Sequence, residues 1–341
     1  MRSRFSFLLL TVALLGFGCG PEAAPAPTVA VTPQEMTETI YTSFVINVHD
    51  FSQPEKSIAT INRIIDLHEK YQVPVDIYLT DAMARIFDDD KALIERLKTS
   101  PVVAISYHLR QPTPYYSGFH QEEFKAMDSN ELLAALREYE THAVDLVTGK
   151  TTSEHGGYEH VKELIGYPPY VVSQAAGPGV IPEALAQVYK EMGAVCSLKH
   201  GVVSKLGDMS NGLCLRPEDV EVKVYNPTGV ISAEDMISRH LAEVSTRPAF
   251  MNLKWHDNNF YSSGTNWAGI YYEPGQKGDA LRDPPYDLSL WTTSETNKSE
   301  AEQNIQWDRY EDVLNYVKSH PETFTAINAR DVINLLAGIN Q

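Results

Sequence analysis

Two hydrophobic periods take turns along this chain. Residues 42–48 (TSFVINV) form a β-rich run that stops at His49-Asp50-Phe51. Ile58, Ile61, Ile64, Ile65 and Leu67 then recur at close to helical spacing, and Pro74 ends that helix. Residues 75–79 predict a second strand closing at Thr80-Asp81, residues 91–98 a helix, and residues 102–107 a third strand ending in His108. Residues 130–147 read as one long helix capped by Asp128 or Ser129. Helices are expected near 160–165 and over 182–192, with strands at 170–173 and 194–198. A strand over 249–255 ends in His256-Asp257. A helix at 307–319, a strand at 323–327 and a helix at 329–336 close the chain.

Strands that alternate with helices imply crossover connections and a parallel sheet. Seven or so such units predict an α/β fold, an irregular (β/α) barrel in a single domain over 38–341, with an open sheet as the alternative. The segment near 258–300 lacks a clear period and reads as a long loop insertion.

The start of the chain follows different rules. Arg2 and Arg4 precede a 13-residue, almost wholly apolar run from Phe5 to Phe17, then Gly18-Cys19-Gly20. That is short of the roughly 20 residues of a membrane span and suits a signal peptide over 1–18. The small residue before Cys19 resembles the lipobox of bacterial lipoproteins, which implies a lipid anchor on Cys19 and an exported protein facing the periplasm or the cell surface. Residues 19–37, rich in Pro and Ala, read as a disordered tether. The formal charge of -17 excludes a nucleic-acid binder as the leading reading, because phosphate backbones reward basic patches. With Cys19 acylated, Cys196 and Cys214 remain; they pair in an oxidising compartment or stay separate buried thiols.

In parallel α/β folds the chemistry gathers at the carboxyl ends of strands. The predicted strand ends supply His49-Asp50, Asp81, His108 with Arg110, Glu154-His155 and His256-Asp257. Imidazole and carboxylate ligands with an open position suit a catalytic divalent cation, Zn²⁺ foremost, whose bound water attacks an ester or amide while a His or Asp moves the proton. The alternative for any single histidine is a packed or surface residue.

This order of strand-end motifs resembles the polysaccharide deacetylase superfamily, whose NodB-like domain is an irregular (β/α) barrel. The resemblance runs over about residues 40–338. His49-Asp50 is similar to that family's aspartate pair, which implies Asp50 as a metal ligand and His49 in the place of the base. His108 is similar to the first histidine of its His-x-x-x-His motif, although Pro112 stands where the second would be. Residues 153–158 (SEHGGY) are a distant counterpart of its Arg-x-Pro loop, and Trp255-His256-Asp257 of its late catalytic histidine. The resemblance implies catalytic roles for His49, His256 and Asp257 and metal ligation by Asp50 and His108, with His155, His256 or Glu154 as the third ligand. The function that it implies is metal-dependent removal of acyl groups from carbohydrate at the cell envelope, on envelope or imported glycans.

Arg110, Tyr115, Tyr116, Trp255 and Tyr261 are the candidate substrate contacts, since aromatic faces with polar edges suit sugar rings. The alternative is that the aromatics pack the long loop onto the domain. Two other functions fit the same residues: a two-carboxylate glycoside hydrolase drawing on Asp50, Glu154 and Asp257, or a non-catalytic glycan-binding lipoprotein on a deacetylase scaffold.

Overall fold

The computed structural model describes residues 39–109, 121–199, 203–224, 232–242, 244, 247–275 and 280–339. The leader, the tether, Cys19, Arg110, Tyr115 and Tyr116 lie outside them.

A strand buried along its whole length belongs at the middle of a covered sheet, and Ile40–Val48 (β1) is such a strand. After it come α1 (Pro54–Tyr71), β2 (Val75–Leu79), α2 (Asp81–Phe87), α3 (Lys91–Thr99) and β3 (Val103–Tyr107). The middle of the chain holds α4 (Gln121–Ala126), α5 (Ser129–Thr141), β4 (His142–Val144), β5 (Thr151–His155), α6 (Gly157–Ile165), β6 (Val171–Ser173), α7 (Val180–Glu191) and β7 (Cys196–Leu198). Then follow β8 (Met209–Ser210), β9 (Leu213–Leu215), β10 (Val220–Lys223), α8 (Ala233–Leu241) and β11 (Ala249–His256). The last part holds α9 (Ala268–Tyr271), β12 (Tyr272–Glu273), β13 (Ala280–Leu281), α10 (Glu300–Ser319), β14 (Phe324–Ala326) and α11 (Ala329–Ile339).

The main sheet runs β10-β11-β1-β2-β3-β6-β7-β9-β8, with β14 against the first residues of β1. The pairing of β8 with β9 is antiparallel and the rest of this sheet is parallel. The sheet curls strongly: Arg216, just past β9, bonds to Asp76 and Tyr78 on β2, several strands away. The result is an α/β half-barrel, with β10 and β8 at its two ends.

Residues one apart on a strand point to opposite faces. Phe44, Ile46, Ile77, Ile105, Leu253 and Trp255 join the large core beneath the helices. Tyr41, Val45, Tyr78, Ala104 and Phe250 face the concave side and pack with Val332 and Leu336 of α11. The first turn of α11 is anchored there, its Ala329 N–H donating to Asp76 Oδ1 at 2.6 Å. A helix N-terminus favours such a carboxylate.

The helix expected over 130–147 ends at Thr141. Its capping box, Asp128 with Glu131, is present. The chain becomes extended at His142, directly after the helix, and then turns back: Asp145 accepts from the N–H groups of Val147 and Thr148, and Gly149 takes φ 68°. Strand β4 then pairs with β5. The last long helix begins seven residues earlier than its apolar period, because Ser299 and Glu302 form a capping box. Cys196 and Cys214 are partners across β7 and β9, their thiols hydrogen-bonded, and burial pushes Cys196 up to about 12.

Glu140, at the end of α5, is buried against Tyr189, whose hydroxyl donates to it at 2.9 Å, and the Tyr158 N–H at 3.0 Å. The start of α6 must come close for this: a Cβ on Gly157, at φ 65°, would stand 2.4 Å from the Glu140 backbone. Burial raises the Glu140 carboxyl to about 8, with Asp81 adding to the rise and Tyr107 and Tyr189 opposing it. A raised carboxyl favours the folded state while it is protonated. Its stabilisation is full below the ordinary value of 4.5 and is lost as pH rises from there to about 8. Over that window, unfolding free energy is expected to fall by about 1.4 kcal/mol per pH unit from this residue. Glu140→Gln is expected to flatten that slope in urea titrations at several pH values; an unchanged slope refutes the assignment.

Candidate functional site

The strands of the concave face finish nearly level. Asn47 lies opposite His256 in the β1–β11 register, and the His108 N–H donates to the carbonyl of Leu79 at the end of β2. Continuing the inward alternation of their strands, His49, His108 and His256 meet at one rim. The His49 ring centre is 6.1 Å from that of His108 and 4.9 Å from that of His256. His49 and His108 are buried and His256 is half-buried. The indole N–H of Trp267 donates to His49 Nδ1 at 2.9 Å.

Between this rim and the apolar cluster on α11, the concave face carries a polar band. Asn252 donates to Glu218 at 2.7 Å, Lys254 pairs with Glu221 at 3.2 Å, and Arg216 pairs with Asp76. Asn252, Lys254 and His256 share one face of β11 and make its last part polar, while Met251, Leu253 and Trp255 on the other face are core.

Asp50 points the other way from His49. Its Oδ1 accepts from the backbone N–H and the hydroxyl of Ser52. Its Oδ2 accepts from Tyr261 Oη at 2.9 Å and Asn266 Nδ2 at 3.4 Å. Asp257, fully buried, accepts from the Asp50 N–H at 3.1 Å, the Ser57 hydroxyl at 2.7 Å and the Asn258 N–H at 2.9 Å. It therefore ties the loop after β11 to the loop before α1. Burial raises both carboxyls, and the Asp50 charge raises Asp257 further.

The cation implied by the sequence does not fit its expected ligands. A carboxylate offers about four lone-pair directions, and four protein donors already occupy those of Asp50. His155 is exposed at the end of the β4–β5 hairpin, where its Nε2 lies 3.1 Å from Glu163. Among the described residues, no three His, Cys, Asp or Glu side chains are grouped so as to hold a metal ion.

Other expectations need correction as well. Trp255 is not a substrate contact: it is fully buried on the convex side, 4.7 Å from the Tyr310 ring and stacked on Phe44. Tyr261 is buried too, its hydroxyl spent on Asp50. Asp257 is a brace between loops and does not reach the rim. Glu154 is exposed and paired with Arg85, so Asp50, Glu154 and Asp257 do not form a glycosidase pair facing a common cleft. Asp81, one of the predicted strand-end carboxylates, pairs with His160 at 2.9 Å. The sequence reading missed the role of Trp267 and of the polar row on β11.

Comparison with protein-family models finds no match, and comparison with curated proteins finds none. Among solved structures the chain is similar to peptidoglycan deacetylase PdaC from Bacillus subtilis, at 8% identity and TM-score 0.38, over 90% of this chain and 95% of that one. It is similar to the catalytic domain of a peptidoglycan N-acetylglucosamine deacetylase from Eubacterium rectale, at 15% identity and TM-score 0.32, over 69% and 81%. It is also similar to a 4-alpha-glucanotransferase from Thermococcus litoralis, at 10% identity and TM-score 0.36, over 76% of this chain and 39% of that one. Scores of this size do not establish a common activity, and the site's own geometry carries the reading below.

Proposed function

We propose that this protein is a hydrolase that removes acyl groups from carbohydrate, held at the cell envelope by a lipid on Cys19. The observation that carries it is the meeting of His49, His108 and His256 at the carboxyl edge of a parallel half-barrel. An imidazole is suited to accept and return a proton. His256, the half-buried ring, is the base. It takes a proton from water as the water oxygen bonds to the acyl carbon. It returns that proton to the sugar oxygen or nitrogen as the acyl bond breaks. A buried imidazole beside it steadies the negative oxygen that forms in between. No step is assigned to a metal, since Asp50 lacks a free lone pair.

Acetate release from N-acetylated and O-acetylated oligosaccharides, measured on the purified full chain, tests the reaction. Release that is lost in His256→Ala supports it; no release from any acetylated sugar rejects it. The saturation of Asp50 favours a second reading, a glycan-binding scaffold without catalysis. Retained oligosaccharide affinity with no acetate released is the result expected of that one.

A further inference from the structure

We propose that Trp267 is a positioning residue that holds His49 in its Nε2–H form, so that His49 is a hydrogen-bond donor among the rim imidazoles and not the base. The proposal rests on the hydrolase reading for its catalytic meaning, and on one contact for its physics.

An indole nitrogen can donate a hydrogen bond and cannot accept one. Trp267 Nε1 stands 2.9 Å from His49 Nδ1. Nδ1 must therefore carry a lone pair, and the proton of the neutral ring sits on Nε2. The other tautomer would set two N–H groups against each other in a buried place, where an unmade hydrogen bond is costly. Both side chains are buried, Trp267 at 1% and His49 at 2% exposure, so water has little room to relieve that conflict.

The surrounding chain keeps the indole in place. Asn266 donates to Asp50, the residue after His49. Ser262 donates to Asn266 Oδ1 at 3.2 Å, and its own N–H donates to the Asn258 carbonyl at 2.7 Å. The loop that follows β11 thus clasps His49 and Asp50 through consecutive residues, Asn266 and Trp267. The sequence places His49 where the resembling family has its base. The indole removes that role from Nδ1, and the proton on Nε2 removes it from the other nitrogen. Base duty falls to His256, whose ring lies edge-on to His49.

Nitrogen NMR of the full chain labelled in its histidine rings tests this directly, with His49 assigned by loss of its signals in His49→Gln. The expected result is a wild-type His49 ring with bare Nδ1 and protonated Nε2. In Trp267→Phe, which keeps an aromatic ring and removes the donor, the ring is expected to shift toward the Nδ1–H form. Acetate release in that variant is expected to fall about tenfold in kcat with KM changed less than about twofold, the pattern of an interaction lost mainly in the transition state. A wild-type His49 carrying its proton on Nδ1 overturns the proposal, whether or not the variant folds. So does a His49 spectrum identical in folded Trp267→Phe. An Nε2–H ring in a protein that releases no acetate upholds the tautomer assignment and sinks the hydrolase reading instead.

Discussion

Arg216→Met is expected to lower the unfolding free energy by about 3–5 kcal/mol, the usual cost of removing one partner from a buried ion pair. Arg216 and Asp76 are 1% and 0% exposed. With the guanidinium gone, Asp76 keeps only the Ala329 N–H and a carboxylate oxygen turned into a dry interior. Tyr78 loses one partner in the same change, since Arg216 donates to its hydroxyl. Neutralising the other partner as well, in Asp76→Asn with Arg216→Met, is expected to restore part of the loss. Urea denaturation of the single and double variants measures both. A single variant within about 1 kcal/mol of wild type, the range of an exposed pair, contradicts a buried bridge across the half-barrel.

His256→Ala is expected to reduce acetate release by about 10²–10⁴-fold, the range for loss of a positioned base. His108→Ala is expected to lose less. His256 is the rim ring open to solvent, and the other two are buried behind it. Stability should change little at His256, because its ring is not part of the apolar core. Steady-state kinetics beside a thermal melt separates the two effects. A His256 variant with full activity and an unchanged melt moves the base elsewhere and ends this mechanism.

Where one residue type per face determines the outcome, the sequence was readable. The apolar runs at 75–79 and 102–107 and the isoleucines of α1 predict their elements almost to the residue. The placement of His49, His108 and His256 at strand ends was equally visible. Side-chain direction was harder to read. His49 and Asp50 are adjacent in the chain, and on a strand adjacency means opposite faces, so one joins the rim and the other is enclosed by Ser52, Tyr261 and Asn266. The same alternation, applied to 250–256, would have sent Trp255 to the core and Lys254 and Asn252 inward with His256. The helix that stops at Thr141 was hidden by continued apolar spacing, and only the Asp145–Gly149 turn reveals the break. Trp267 had no local signal, because its partner lies more than two hundred residues earlier in the chain.

The seat of α11 under the concave face limits what can approach the histidines. With Val332 and Leu336 filling the lower end and Ala329 fastened to Asp76, that end is stoppered. On the proposed hydrolase reading, a glycan is expected to reach the histidines from the rim side and not past α11, so that removal of a pendant acyl group would call for no chain end.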